Sequence, residues 1–177
     1  SGGVDGIVCV WQTDTMEALG KYGPFSSKIS SIVFDILGSW ISIASSSSVE
    51  VWGLQERKRI SRHPVKGQEI CLLASPDGDL LIGSQNGLEK KNPKSGEQTL
   101  LFRDADLVSS IILDPVSPAV ISAGGKKLQI WDIRDGSLVW KIDLKKTIQK
   151  IDISRQGRLA IALNASRGLL WEMERFE

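Results

Sequence analysis

Histidine is nearly missing from this chain: His63 is the only one. That excludes most histidine-based catalytic or metal-binding constellations. Cysteine is almost as scarce. Cys9 and Cys71 both lie in apolar, strand-like runs, which reads as two buried thiols in a reducing compartment rather than a disulfide or metal pair. There is no HExxH, CxxC, nucleophile elbow or phosphate-cradling glycine loop. No apolar run approaches the roughly 18 residues that span a bilayer, and no charged start with an apolar core reads as a signal peptide. The expectation is no membrane insertion and an intracellular setting, cytoplasmic or nuclear. The chain starts at Ser1 rather than methionine, which leaves open an upstream segment. A net charge of +1 gives no global argument for nucleic acid. Helical periodicity over three turns is absent too. Asn164-Ala165-Ser166 matches a glycosylation sequon, read as a chance match without a secretory signal.

What the chain has is a beat. A tryptophan closes a short apolar run at Trp11, Trp52, Trp131 and Trp171, about every 40 residues. One beat is missing, at Leu88-Glu89-Lys90-Lys91, where lysine replaces tryptophan and the spacing holds. Such a period, with several short strands per unit, is the signature of a propeller array.

Four blocks recur around that beat. The first alternates: Ile29–Phe34, Glu69–Ala74, Val108–Leu113 and Ile148–Ile153. The second is short and apolar: Trp40–Ser45, Leu80–Ser84, Ala119–Ala123 and Leu159–Leu163. The third ends at the tryptophan position. The fourth is more polar: Met16–Leu19, Arg57–Ile60, Gln98–Leu101 and Leu138–Ile142. Their lengths and Val/Ile/Leu content predict strands. Turn clusters such as Ser75-Pro76-Asp77-Gly78 and Arg134-Asp135-Gly136 separate them. Four antiparallel strands of graded polarity make one blade.

On these residues the chain resembles the WD40-repeat family. Ser1–Trp11 resembles that family's run from the end of the second strand through the third, Ala74–Ile82 its first hairpin turn, and Trp131–Val139 its third-to-fourth connection. The resemblance implies an all-β fold: a partial WD40-type β-propeller of about four to five blades of four-stranded antiparallel sheet. It divides into 1–22 (end of one blade), blades 23–62, 63–102 and 103–143, and an incomplete last blade 144–177. The family's blades often carry a histidine before the first strand. His63 lies near that position; Phe25, Asp104 and Leu144 stand at the others, and a turn aspartate survives at Asp5, with Asn86 a weaker substitute. The blades are therefore expected to depend on apolar packing and to be of modest stability. The first blade lacks inner strands while the last supplies its own third strand at Gly168–Trp171, so the ends overlap instead of completing one another. The chain is expected to be the C-terminal part of a larger propeller, seven-bladed by resemblance.

Chemistry is sparse. Ser45–Ser48 reads as turn filler or a phosphorylation site, and Asp77 with Asp79 as a hairpin turn rather than calcium ligands. His63 reads as a variant of the family histidine or as exposed beside Pro64. Trp40 and Trp140 fall off the beat; Trp140 is read as blade packing or as an exposed partner anchor. Catalytic residues, metal and cofactor are all expected to be none. In the family's geometry one face gathers Arg62, Lys66, Lys126, Lys127, Lys145, Lys146 and Arg167, with fewer acids: Asp5, Glu69, Asp104, Asp106 and Asp143. The opposite face collects Asp14, Asp35, Asp77, Asp79, Asp114, Asp132 and Asp135. These seven basic residues are the candidate partner-binding rim, against the reading of ordinary solvated lysines. The expected function is a non-catalytic scaffold for protein partners, the rest of its own propeller among them. The alternatives are an RNA- or nucleic-acid-associated subunit using the basic rim, and a regulatory propeller attached to an upstream enzyme.

Overall fold

The computed structural model describes residues 1–65, 70–102, 107–163 and 167–172, the last six by their backbone alone. Every regular element among them is a strand. In chain order they are β1 (Val8–Trp11), β2 (Ala18–Tyr22), β3 (Ile29–Phe34), β4 (Trp40–Ser45), β5 (Ser48–Gly53), β6 (Arg59–Pro64), β7 (Cys71–Ala74), β8 (Leu80–Ser84), β9 (Gly87–Lys91), β10 (Gln98–Phe102), β11 (Ser110–Leu113), β12 (Ala119–Gly124), β13 (Lys127–Asp132), β14 (Leu138–Asp143), β15 (Ile148–Ile153), β16 (Arg158–Leu163) and β17 (Arg167–Glu172). They form antiparallel sheets β1-β2, β3-β4-β5-β6, β7-β8-β9-β10, β11-β12-β13-β14 and β15-β16-β17. These are successive blades, here numbered one to five.

The core lies between consecutive blades rather than inside any one. Four apolar clusters fill the four junctions. Val8 and Tyr22 of blade one meet Ile41 and Ile43 of blade two. Trp40, Ala44, Val49 and Val51 then meet Ile70, Leu72, Leu80 and Ile82. Leu81, Leu88 and Phe102 meet Val108, Val120 and Trp131. Ile121 and Leu128 meet Ile148, Ile151 and Ile161. Successive strand residues point to opposite faces, so each middle strand serves both neighbouring junctions. That is why β4 and β8 are buried along their whole length while the outer strands β6 and β10 are not. Serine hydroxyls add cross-links: Leu72 N–H donates to Ser31 Oγ (3.1 Å) and Ile151 N–H to Ser110 Oγ (3.4 Å). Cys71 holds the matching register position in blade three.

Two expected outer strands start later than the sequence suggests. β2 begins at Ala18 and β6 at Arg59, because Met16 and Arg57 sit in the preceding turns at φ of 57° and 53°. Gly96 and Gly136 hold that position in the next two blades, at 75° and 73°. A left-handed conformation in a non-glycine residue does not continue a strand. The thiols also differ from expectation. Neither is in a disulfide, and both are only half buried.

Candidate functional site

The hairpins β4–β5, β8–β9 and β12–β13 share one end of the blades with the links between blades, and hydrogen bonds fasten them together. Ser47 C=O accepts Val65 N–H (3.2 Å) and Ser84 C=O accepts Val108 N–H (2.8 Å). At blade four the tie is double: Lys126 C=O accepts Leu144 N–H and Gly125 C=O accepts Ile148 N–H, both at 2.7 Å. The two-residue turn Gly125-Lys126 is thereby pinned against the loop from Leu144 to Thr147. Lys126, Lys145 and Lys146 are exposed on these two segments, and Lys127 is exposed next to them at the start of β13. Lys150, which sequence reasoning left out, is exposed near the start of β15. Asp143 faces Lys127 in the β13–β14 register.

The other rim candidates fare differently. Arg62 is not a loop residue. It lies within β6, opposite Glu50, and its Nε sits 3.5 Å from Glu50 Oε1, with Arg59 at 3.6 Å from Oε2. Lys66, Glu69, Asp104 and Asp106 lie outside the described residues, as does the Asn164 sequon. Arg167 and Trp171 are described by backbone only, paired with Leu163 and Leu159.

The acids of the opposite end are occupied in turns. Asp35 accepts Trp40 N–H (2.9 Å) and the Ser39 hydroxyl (2.8 Å). Burial would raise its pKa, but these hydrogen bonds outweigh it and hold the carboxyl below its ordinary value. Asp114 accepts Val116 N–H and the Ser117 hydroxyl, and Asp135 accepts Ser137 N–H. Asp132 pairs with Arg134, whose hydrogen bonds lower its pKa to about 2. Asp77 and Asp79 build the turn expected of them. The Lys90 ammonium pairs with Asp77 and lies 3.9 Å from Asp79, which in turn accepts the Thr99 hydroxyl (2.7 Å). Among the described residues no three His, Cys, Asp or Glu side chains stand together as a metal site.

Ser46 and Ser47 form the tip of the β4–β5 turn, with the Ser45 hydroxyl donating to Ser48 C=O (3.2 Å). Trp40 is buried in the second junction. Trp140 packs against the fourth, the blade-packing reading of that residue.

His63 corrects the sequence reading in both its forms. It is neither ahead of a first strand nor exposed. It lies in β6, 6 % exposed, in register opposite Val49. Tyr22, Phe102 and Ile142 hold that position opposite Val8, Leu88 and Leu128. There Tyr22 meets Trp52 and Phe102 meets Trp131, each edge-to-face with centroids 5.8 Å apart. The tryptophan-position residue in the blade after His63 is Lys91, opposite Leu80 as Trp52 is opposite Ile41. The only histidine and the missing tryptophan thus belong to one junction.

Comparison with known proteins fits this architecture. No family model matches the chain. The p21-activated protein kinase-interacting protein 1-like protein of Danio rerio is 30% identical over 80 residues, covering 45% of this chain and 22% of that protein. The crystal structure of the WD40 β-propeller domain of Doa1 superposes with a TM-score of 0.83 at 18% identity, over 98% of this chain and 60% of the other. The computationally designed Ika8 protein gives 0.79 at 16% identity, over 97% and 54%. The chain therefore spans about a fifth of the zebrafish relative and somewhat over half of each solved chain.

Proposed function

We propose that this stretch of chain, which has the fold of a partial WD40-type β-propeller of about four blades, is a non-catalytic scaffold whose basic rim holds acidic segments of partner proteins. The fold is typically non-catalytic and is generally used for protein interaction. The observation that carries the finer reading is the doubly tied rim of blade four. It presents Lys126, Lys145 and Lys146 on two mutually braced segments, with Lys127 beside them at the start of β13. Like charges carried on braced backbone favour an acidic ligand, since the loops themselves need no ordering on binding. At the opposite end Asp35, Asp114 and Asp135 are engaged by their own turns, and Asp77 and Asp132 by Lys90 and Arg134. Two cysteines outside any disulfide accord with an intracellular setting. The name of the zebrafish relative records an interaction with a kinase, which favours protein over nucleic acid as the partner class here.

The test is co-purification from cells of the whole protein against a variant with all four lysines changed to alanine. The partners lost from the variant should be acidic proteins. An unchanged partner set sinks the assignment. Loss of bound RNA instead, with affinity falling steeply with salt, would move the rim to the nucleic-acid reading.

A further inference from the structure

The junction between blades two and three differs from its neighbours at four register positions. At the next junction these hold Leu81, Leu100, Phe102 and Trp131. Here they hold Ser42, Ser61, His63 and Lys91. Ser42 Oγ is buried with no hydrogen-bond partner. The Ser61 hydroxyl donates to Pro93 C=O in the turn of blade three, which leaves Ser61 Oγ to accept from His63 Nε2 at 3.0 Å. On its other side the imidazole is pressed onto Gly96. A Cβ there would lie 2.7 Å from Nδ1 and 2.6 Å from Cε1. A second ring proton has a hydrogen bond with the Pro93 backbone in its favour and the burial of the ring against it.

The charges around the ring do not welcome that proton. From β9 it faces Lys91 and Glu89, and Glu89 is already paired with Lys91 at 3.2 Å. Arg59 and Arg62, on its own strand, are committed to Glu50 of β5. Lys94 and Glu97 flank Gly96 as exposed residues of the turn. These are the charged groups among the described residues of the elements packed on it.

We propose that this junction is a proton-operated seam: when His63 takes up a proton it becomes a second cation beside Lys91 in a buried contact, and blades two and three part there while the aromatic junctions on either side hold. Burial first, and Lys91 second, hold the His63 pKa below its ordinary value. With the pKa lower in the closed form than in the opened one, the opened form binds more protons between the two values. The closed junction is thus fully favoured above about pH 6.5 and weakens as pH falls through the closed-state pKa. Over that window opening gains up to about tenfold per pH unit.

Hydrogen exchange on the whole protein between pH 7.5 and 5, corrected for intrinsic rates, tests this. Protection in β5, β6, β9 and β10 should fall with pH while β12 and β13 keep theirs. His63→Phe should abolish the difference. In the same protein the imidazole signal, assigned by its loss in that variant, should titrate below 6.5, and Lys91→Leu should move it upward. An imidazole titrating at or above 6.5 overturns the proposal, as does uniform loss of protection across all blades. If His63→Phe does not fold, the Lys91→Leu titration still decides: an unmoved imidazole also overturns it.

Discussion

Lys91 Nζ lies 3.2 Å from Glu89 Oε1, the same separation at which Trp52 Nε1 donates to Glu50 Oε2 one blade earlier. The lysine replaces the tryptophan as donor to the same acidic register position but does not supply its ring. Restoring the aromatic pair should therefore stabilise the junction. We expect His63→Phe with Lys91→Trp to raise unfolding free energy by about 1 kcal/mol over the sum of the single changes, the scale of an aromatic pair. A urea-unfolding double-mutant cycle measures it, and strict additivity would refute the pairing.

Ser42 invites a simpler gain. Its buried hydroxyl lacks a partner, and Leu81 and Ile121 occupy its register position in the following blades. Ser42→Ala removes an unsatisfied polar atom and should stabilise by about 1 kcal/mol. A lower melting temperature would mean that the hydroxyl is needed.

Met16 holds a left-handed turn position that Gly96 and Gly136 fill elsewhere. Its side chain is exposed, so little packing is lost on removal. Met16→Gly should raise stability by about 1 kcal/mol, the approximate cost of that conformation for an L-residue. Thermal unfolding reads the sign directly.

Asp35 is the acid on which its turn most depends. Its lowered pKa means that its contribution is fully present above the unfolded carboxylate value of about 3.9. That contribution is lost as pH falls through the folded value. Asp35→Ala should cost about 1–2 kcal/mol at pH 7 and progressively less below pH 4. Paired unfolding curves at pH 7 and pH 3 check both halves.

The tryptophan beat placed β3, β4, β8 and β15 to the residue, because apolar alternation and turn residues bound those strands on both sides. The outer strands were less legible. Met16 and Arg57 take a left-handed φ without the glycine that would signal it, and β6 carries polar residues to its end at Pro64. Lys126, Lys127, Lys145 and Lys146 were readable because adjacent loops follow from the repeat. Arg62 was misplaced with the end of β6. The polar junction was visible only in pieces, as a missing tryptophan and a solitary histidine. Their meeting depends on register across two blades, which a linear pattern does not carry.

Trp11 carries a last consequence. Trp131 is 0% exposed beneath Phe102, whereas Trp11, at its own place in the beat, is 46% exposed, with Ser1 Oγ accepting from its Nε1. An indole in water emits at longer wavelength than one sealed in hydrocarbon. Within this stretch of chain, Trp11 therefore reports on whatever packs against its side of blade one. Any segment that docks there should shift the Trp11 emission to the blue and shield it from a soluble quencher, with no label added.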